Sequence, residues 1–308
     1  MSGLAIMLEE YLARRRSLGY KLERAGVVLA DFVAYLERAG AEQITVDLAV
    51  AWAMLTANPD SGWRAQRLGA VRCFARYLHG IDPRHQVPPP GLLYRGRGRP
   101  EPFLYREQDI LALIAAAREL RSPLQAVTIE TFVGLLATTG VRVGEAIRLD
   151  RGDVDLARCS LLVRDSKGGR SRHVPLHPTT ARMLRSYLAR RDELFPAPGS
   201  PALFISCAGT RLRHGNLHTV FARLLERAGL PRRGSSPRPR LGDLRHSFAV
   251  QTLLDWHLAE LDVAARLPVL STYLGHSSPL STYWYLTASP QLLAAAARRL
   301  DRAWQALP

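Results

Sequence analysis

Along the first ninety residues, apolar positions recur at helical spacing. Leu8, Tyr11 and Leu12 mark one helix, and Val28, Leu29, Phe32, Val33 and Leu36 mark a second. Thr45 is placed to cap a third helix running through Leu55, and Ser61 a fourth whose Leu68, Val71, Phe74 and Leu78 face one way. The pattern predicts a small helical bundle. Next comes His85 to Pro100, HQVPPPGLLYRGRGRP, where a proline run, glycines and three alternating arginines predict a linker rather than a helix or packed strand. Beyond it, helices are predicted at 107–119, 123–138, 178–194, 215–228, 243–257 and 263–274, with Gly229 and Gly275 as C-terminal stops. Two β-rich runs, 159–164 and 170–176, flank the turn sequence Asp165-Ser-Lys-Gly-Gly and predict a hairpin. The expected fold is mainly α with a small sheet, in two domains.

Composition sharpens the picture. A chain of 308 residues is long enough for two cores. Its 42 Lys+Arg against 27 Asp+Glu give a formal net charge of +15, which points to a polyanionic partner. The 47% apolar content excludes a disordered basic tail, and no apolar run approaches the roughly 18 residues that would span a bilayer. The start, MSGLAIMLEE, lacks the basic-then-apolar pattern of a secretion signal, so a cytoplasmic, nucleoid-associated protein is expected. Cys73, Cys159 and Cys207 are widely separated, which predicts core thiols rather than disulfides or a zinc site.

The positive charge is almost all arginine, since Lys21 and Lys167 are the lysines. Arginine forks suit phosphate. Residues 1–90 hold 11 basic and 9 acidic side chains, against 31 and 18 in residues 91–308, so the second part is the stronger anion binder. Nine arginines lie between Arg211 and Arg245, with Glu226 and Asp243 as the acids among them. Arg95, Arg97, Arg99, Arg211, Arg213, Arg238 and Arg240 are the candidate DNA contacts. The linker arginines suit a narrow minor groove, although a plain solvated linker fits the same composition.

Four separated segments carry the chemistry. In TTGVRVGEAIRL, Gly140 ends an apolar helix and Arg142 stands near a new helix start, where helix N-terminus and guanidinium could share a phosphate. A surface pair of Arg142 with Glu145 is the plainer reading. Lys167 sits at a hairpin tip; unlike arginine, lysine can be tuned to give up a proton, so it is a candidate general acid beside the reading as a solvated turn residue. RLGDLRHSFA places Arg245 and His246 at a helix start. LGHSSPLSTYWYL places His276 after a glycine stop, with Tyr283 and Tyr285 close behind.

This ordered set resembles the tyrosine recombinase (phage integrase) family, in a form similar to recombinases of bacterial mobile elements. TTGVRVGEAIRL resembles the first arginine box, SKGGRSRHVPL the lysine hairpin, GDLRHSFAVQTLL the second arginine box and LGHSSPLSTYWYL the His and Tyr box. The resemblance implies a helical core-binding domain at 1–88, a basic linker at 89–104 and an α+β catalytic domain at 105–308, closing as a C-shaped clamp on DNA. It implies a site-specific recombinase whose Tyr285 attacks a backbone phosphate to give a 3′-phosphotyrosine and a free 5′-hydroxyl. Arg142, Arg245 and His276 would hold that phosphate while Lys167 protonates the leaving oxygen, with no cofactor or metal. Double-stranded DNA is the implied partner, bound by a tetramer on two sites that is a monomer or weak oligomer when free, together with other recombinases of the same element. Tyr285 is preferred to Tyr283 because it lies nine residues after His276.

One position departs from the family pattern. Gly242 stands where His or Lys usually precedes the second arginine, so slowed cleavage is expected, with water, His246 or the substrate substituting for the missing group. An inactive DNA-binding accessory protein and a type IB topoisomerase are the alternative readings. The C-terminal positions Leu293, Ala297, Leu300, Trp304 and Leu307 form an apolar stripe after Ser289-Pro, suited to packing on its own domain or docking on a neighbouring subunit.

Overall fold

The computed structural model describes residues 3–56, 61–93, 102–166, 169–230, 238–276, 278, 280–287, 292–294 and 297. Its contacts divide into two compact units, Met1–Pro100 and Glu101–Pro308. Among the described residues no helix is long and apolar enough to cross a membrane.

The first unit is the expected four-helix bundle: α1 (Gly3–Ser17), α2 (Glu23–Arg38), α3 (Val46–Met54) and α4 (Ser61–His79). Thr45 caps α3, its hydroxyl accepting the Leu48 N–H at 3.2 Å. Ser61 is the first residue of α4 rather than its cap. Phe32, Leu36, Trp52, Phe74 and Leu78 fill the core. Cys73 falls off the inward stripe of α4 and is exposed, which corrects the expectation of a core thiol.

The start of the expected linker is packed. His85 is buried, its Nδ1 accepting the Ile44 N–H at 3.1 Å, and Gln86 accepts the Val46 N–H at 2.9 Å. Arg72 donates to the carbonyls of Pro88 and Pro89 at 2.7 and 2.9 Å. Prolines cannot donate to a ladder, but their carbonyls remain good acceptors, so a segment without secondary structure is still tied down. At the other end, Phe103 and Leu104 pack into the second unit. Arg95, Arg97 and Arg99 lie outside the described residues.

The second unit runs α5 (Glu107–Arg118), α6 (Pro123–Thr139), α7 (Val143–Arg148), a 3₁₀ turn at Arg151–Asp153, β1 (Val154–Asp155), β2 (Ser160–Val163), β3 (Arg172–Pro175), α8 (Pro178–Leu194), α9 (His214–Arg227), α10 (Asp243–Leu258), α11 (Val263–Leu274) and α12 (Leu280–Thr287). The antiparallel sheet has the order β1-β2-β3, with Leu161 opposite Val174 and Val163 opposite Arg172. Ser122 caps α6 and Pro123 opens it. Because α6 packs against α5, α8 and α10, it is buried nearly all round. β1, the 3₁₀ turn and α12 are additions to the sequence pattern, too short to show a period. Two further thiols are corrected: Cys207 is exposed in a turn, and Cys159, at φ 47° before β2, is half-buried.

Candidate functional site

Two helix ends build the site. α6 stops at Gly140 with φ 61°, and α11 stops at Gly275 with φ 68°, left-handed conformations that glycine adopts without strain. Helix ends leave carbonyls without intrahelical partners. Arg245, near the start of α10, donates to the Gly140 carbonyl at 2.8 Å and to the Leu274 carbonyl at 2.6 Å. Arg142, immediately before α7, donates to the Gly275 carbonyl at 3.0 Å. Thus the two predicted arginines, 103 residues apart in the chain, are held by adjacent carbonyls of one helix end.

Glu145 lies beneath them. Its carboxylate accepts the Arg142 backbone N–H at 3.0 Å, Arg142 Nη1 at 2.6 Å and the Ser166 hydroxyl at 2.6 Å. Arg172 from β3 adds Nη1 at 3.2 Å and Nη2 at 2.9 Å. Burial alone would raise the Glu145 pKa, but these donors outweigh it and hold the group at about 2. The plain surface pair is therefore corrected: Arg142 does pair with Glu145, yet the carboxylate is 3% exposed. The start of α7 also already has its anion.

Tyr285 is 2% exposed, whereas Tyr283 is 50% exposed. Tyr285 lies against Arg245, whose pKa falls to about 10, chiefly through burial and then through the Arg142 charge, with Tyr285 opposing the fall. The His246 and His276 rings lie 5.4 and 5.9 Å from the Tyr285 ring, centroid to centroid. His276 Nδ1 shares a hydrogen bond with Thr282 Oγ1 at 2.7 Å. Gly242 precedes α10 at φ −63°, and a Cβ there would meet nothing within 4 Å. Lys167 lies outside the described residues; the flanking turn is closed by the Ser166 N–H on the Arg170 carbonyl at 2.9 Å.

The structure thus brings together Arg142, Glu145, Arg245, His246, His276 and Tyr285. Three further residues, Ser166, Arg172 and Thr282, join them unforeseen. Arg172 carried a readable sign: it shares a strand face with buried Val174, and a charge on such a face needs a partner. Of the other candidate arginines, Arg213, Arg238 and Arg240 are exposed. Arg240 nevertheless pairs with buried Asp243 at 3.1 Å. Arg211 is engaged within the fold, donating to the Ile147 and Leu149 carbonyls at 2.8 and 3.1 Å and to Asp150.

Residues 104–291, the segment that contains every part of this cluster, match the model of the phage integrase family. The chain belongs to the phage integrase family. Among curated relatives, this integrase is 44% identical to the y4rB chain of Sinorhizobium fredii (strain NBRC 101917 / NGR234), named as an integrase/recombinase, over 99% of both chains. It is 30% identical to the tyrosine recombinase XerD of Caulobacter vibrioides, covering 75% of this chain and 72% of that one. The integrase is accordingly an enzyme of the tyrosine recombinase type. Its fold is similar to that of the Tn1549 transposon integrase in complex with transposon right end DNA, with a TM-score of 0.69 at 13% identity over 97% and 98% of the two chains. It is also similar to the XerH recombinase in a post-cleavage complex, with a TM-score of 0.64 at 21% identity over 90% and 78%.

Proposed function

We propose that this integrase cuts and rejoins double-stranded DNA through Tyr285. The Tyr285 hydroxyl loses its proton to water, His246 or the substrate, its oxygen attacks a backbone phosphorus, the bond to the 5′-oxygen breaks, and a 3′-phosphotyrosine stores the phosphodiester energy until a second 5′-hydroxyl reverses the step. Arg142 and Arg245 stabilise the charge that builds on the nonbridging oxygens, His276 adds a hydrogen bond, and Lys167 protonates the departing 5′-oxygen. The observation that carries this reading is buried Tyr285 lying against buried Arg245, beside an Arg142 anchored on the neighbouring carbonyl. Since Tyr285 is buried, α12 must shift outward for a phosphate to reach it.

The net charge of +15 and exposed Arg213, Arg238 and Arg240 support DNA as partner, with Arg95, Arg97 and Arg99 of the basic linker reaching the same duplex. On this reading residues 1–88 form the core-binding domain and 105–308 the catalytic domain, and a tetramer assembles on two sites. Leu292 is buried while Leu293 and Ala297 are exposed, which supports docking of the C-terminal stripe on a neighbouring subunit. Deleting the residues after 290 should then weaken pairing of two sites more than binding of one.

A nicked duplex carrying a recombination site, identified by sequencing the DNA that flanks the gene for inverted repeats, tests the chemistry. A covalent protein–DNA band is expected from the parent and from Tyr283→Phe and is absent from Tyr285→Phe. A band that persists in Tyr285→Phe overturns the assignment, and binding without any band favours an accessory DNA-binding role.

A further inference from the structure

The site contains a carboxylate that opposes the work proposed for it. Glu145 is ionised and buried, with Oε1 2.6 Å from Arg142 Nη1. A full negative charge at that distance cancels much of the attraction Arg142 can offer a phosphate. A second cation faces the same carboxylate. The side chain of Arg172 is 12% exposed, and its fork grips Oε1 and Oε2 while Nε donates to the Tyr273 carbonyl at 2.8 Å. These bonds turn the fork of Arg172 toward Glu145 and the end of α11. A Cβ on Gly275 would stand 2.8 Å from Arg172 Nη1, so the guanidinium fills the space against the very residue whose carbonyl holds Arg142.

We propose that Arg172 is a positioning residue that neutralises Glu145, so that the charge of Arg142 remains available to the phosphate. The inference rests on the reading of Arg142 as a phosphate ligand. Glu145 then acts as a shared hinge: it orients Arg142 through the backbone N–H and Nη1, while Arg172 balances its charge. Without Arg172, Arg142 and Glu145 form a closed neutral pair, and the clamp on the phosphate loses one of its two cations. Arginine suits the role because its fork meets both carboxylate oxygens while Nε reaches a third acceptor.

The test is a double-mutant cycle on single-turnover cleavage of the nicked duplex at saturating protein. Arg172→Gln should slow covalent complex formation by about tenfold or more, as expected for lost transition-state charge, while affinity for the uncleaved site stays within a few-fold. Adding Glu145→Gln removes the charge that Arg172 balances and should recover a large part of the lost rate, although the same change alone does not accelerate the parent. A merely structural Arg172 predicts the reverse, because removing a second partner from the network deepens the defect; no recovery, or no initial loss, overturns the proposal. Melting curves accompany each variant, and Arg172→Lys is the probe should Arg172→Gln fail to fold. Lysine keeps the charge without the fork, so cleavage within a few-fold of the parent supports charge balance, and loss of cleavage in a folded Arg172→Lys overturns it. A parent that forms no covalent complex, or one that survives Tyr285→Phe, overturns the reading of the site itself.

Discussion

Arg245 Nη1 donates to the carbonyl of Gly140 at 2.8 Å, and Gly140 is the left-handed residue that ends α6. A guanidinium is thereby held by a carbonyl that the helix itself cannot satisfy. The end of α11 does the same for Arg142 and again for Arg245. Cations at the negative ends of two helices are stabilised and oriented before any ligand arrives. Preorganisation of this kind lets charge meet charge without rearrangement during a phosphoryl transfer.

Gly140→Ala should therefore damage both stability and site. A Cβ there would stand 2.5 Å from Phe248 Cδ1, and alanine would be strained at φ 61°. The strain alone is worth about 1–3 kcal/mol. Urea unfolding should show a loss at least that large, with covalent complex formation falling further than stability explains. Unchanged stability would contradict the packing described.

Acid should unfold the protein partly through Glu145. Its folded pKa of about 2 lies below the ordinary 4.5, so its contribution is complete above pH 4.5 and is lost as pH falls toward 2. The shift corresponds to about 3 kcal/mol. Urea midpoints measured across that window should fall less steeply for Glu145→Gln than for the parent. Parallel slopes would show that another carboxylate governs the acid limb.

Gly242→His should fold as well as the parent. The position has φ −63° and open space around its Cβ, so a side chain costs little, within about 0.5 kcal/mol. If the missing imidazole limits the reaction, this variant forms the covalent complex faster. A rate equal to the parent's would assign proton acceptance to a group already present.

Thr282→Val removes the hydroxyl that shares a hydrogen bond with His276 Nδ1 at 2.7 Å. One such bond is worth about 1 kcal/mol, so cleavage should slow by roughly five- to tenfold while binding of the uncleaved site is retained. Equal loss of binding and cleavage would mean that Thr282 supports the fold of α12 rather than the orientation of His276.

Much of this molecule is legible without coordinates because its long helices each bury one stripe, and a stripe is a local property. α5, α6, α8, α9, α10 and α11 occupy their predicted spans to within a residue or two, and the glycines predicted to end helices do so. The four chemical segments are also legible, since each residue type is tied to its own turn or helix start. What stayed hidden is partnership. Spacing from His276 favours Tyr285 over Tyr283, but nothing local tells that Tyr285 is buried against Arg245 or that Arg211 is engaged with the end of α7. Cys73, Cys159 and Cys207 misled because a thiol's composition says little about which face it occupies. Sequence alone determined the helices, the hairpin and the inventory of reactive side chains. Tertiary structure decided that Glu145 meets Arg172 across 27 positions and that Arg142 meets Gly275 across 133. The reason is physical: a helix is specified by neighbours a turn away, whereas a buried charge is satisfied by whichever donor the packed chain brings within about 3 Å.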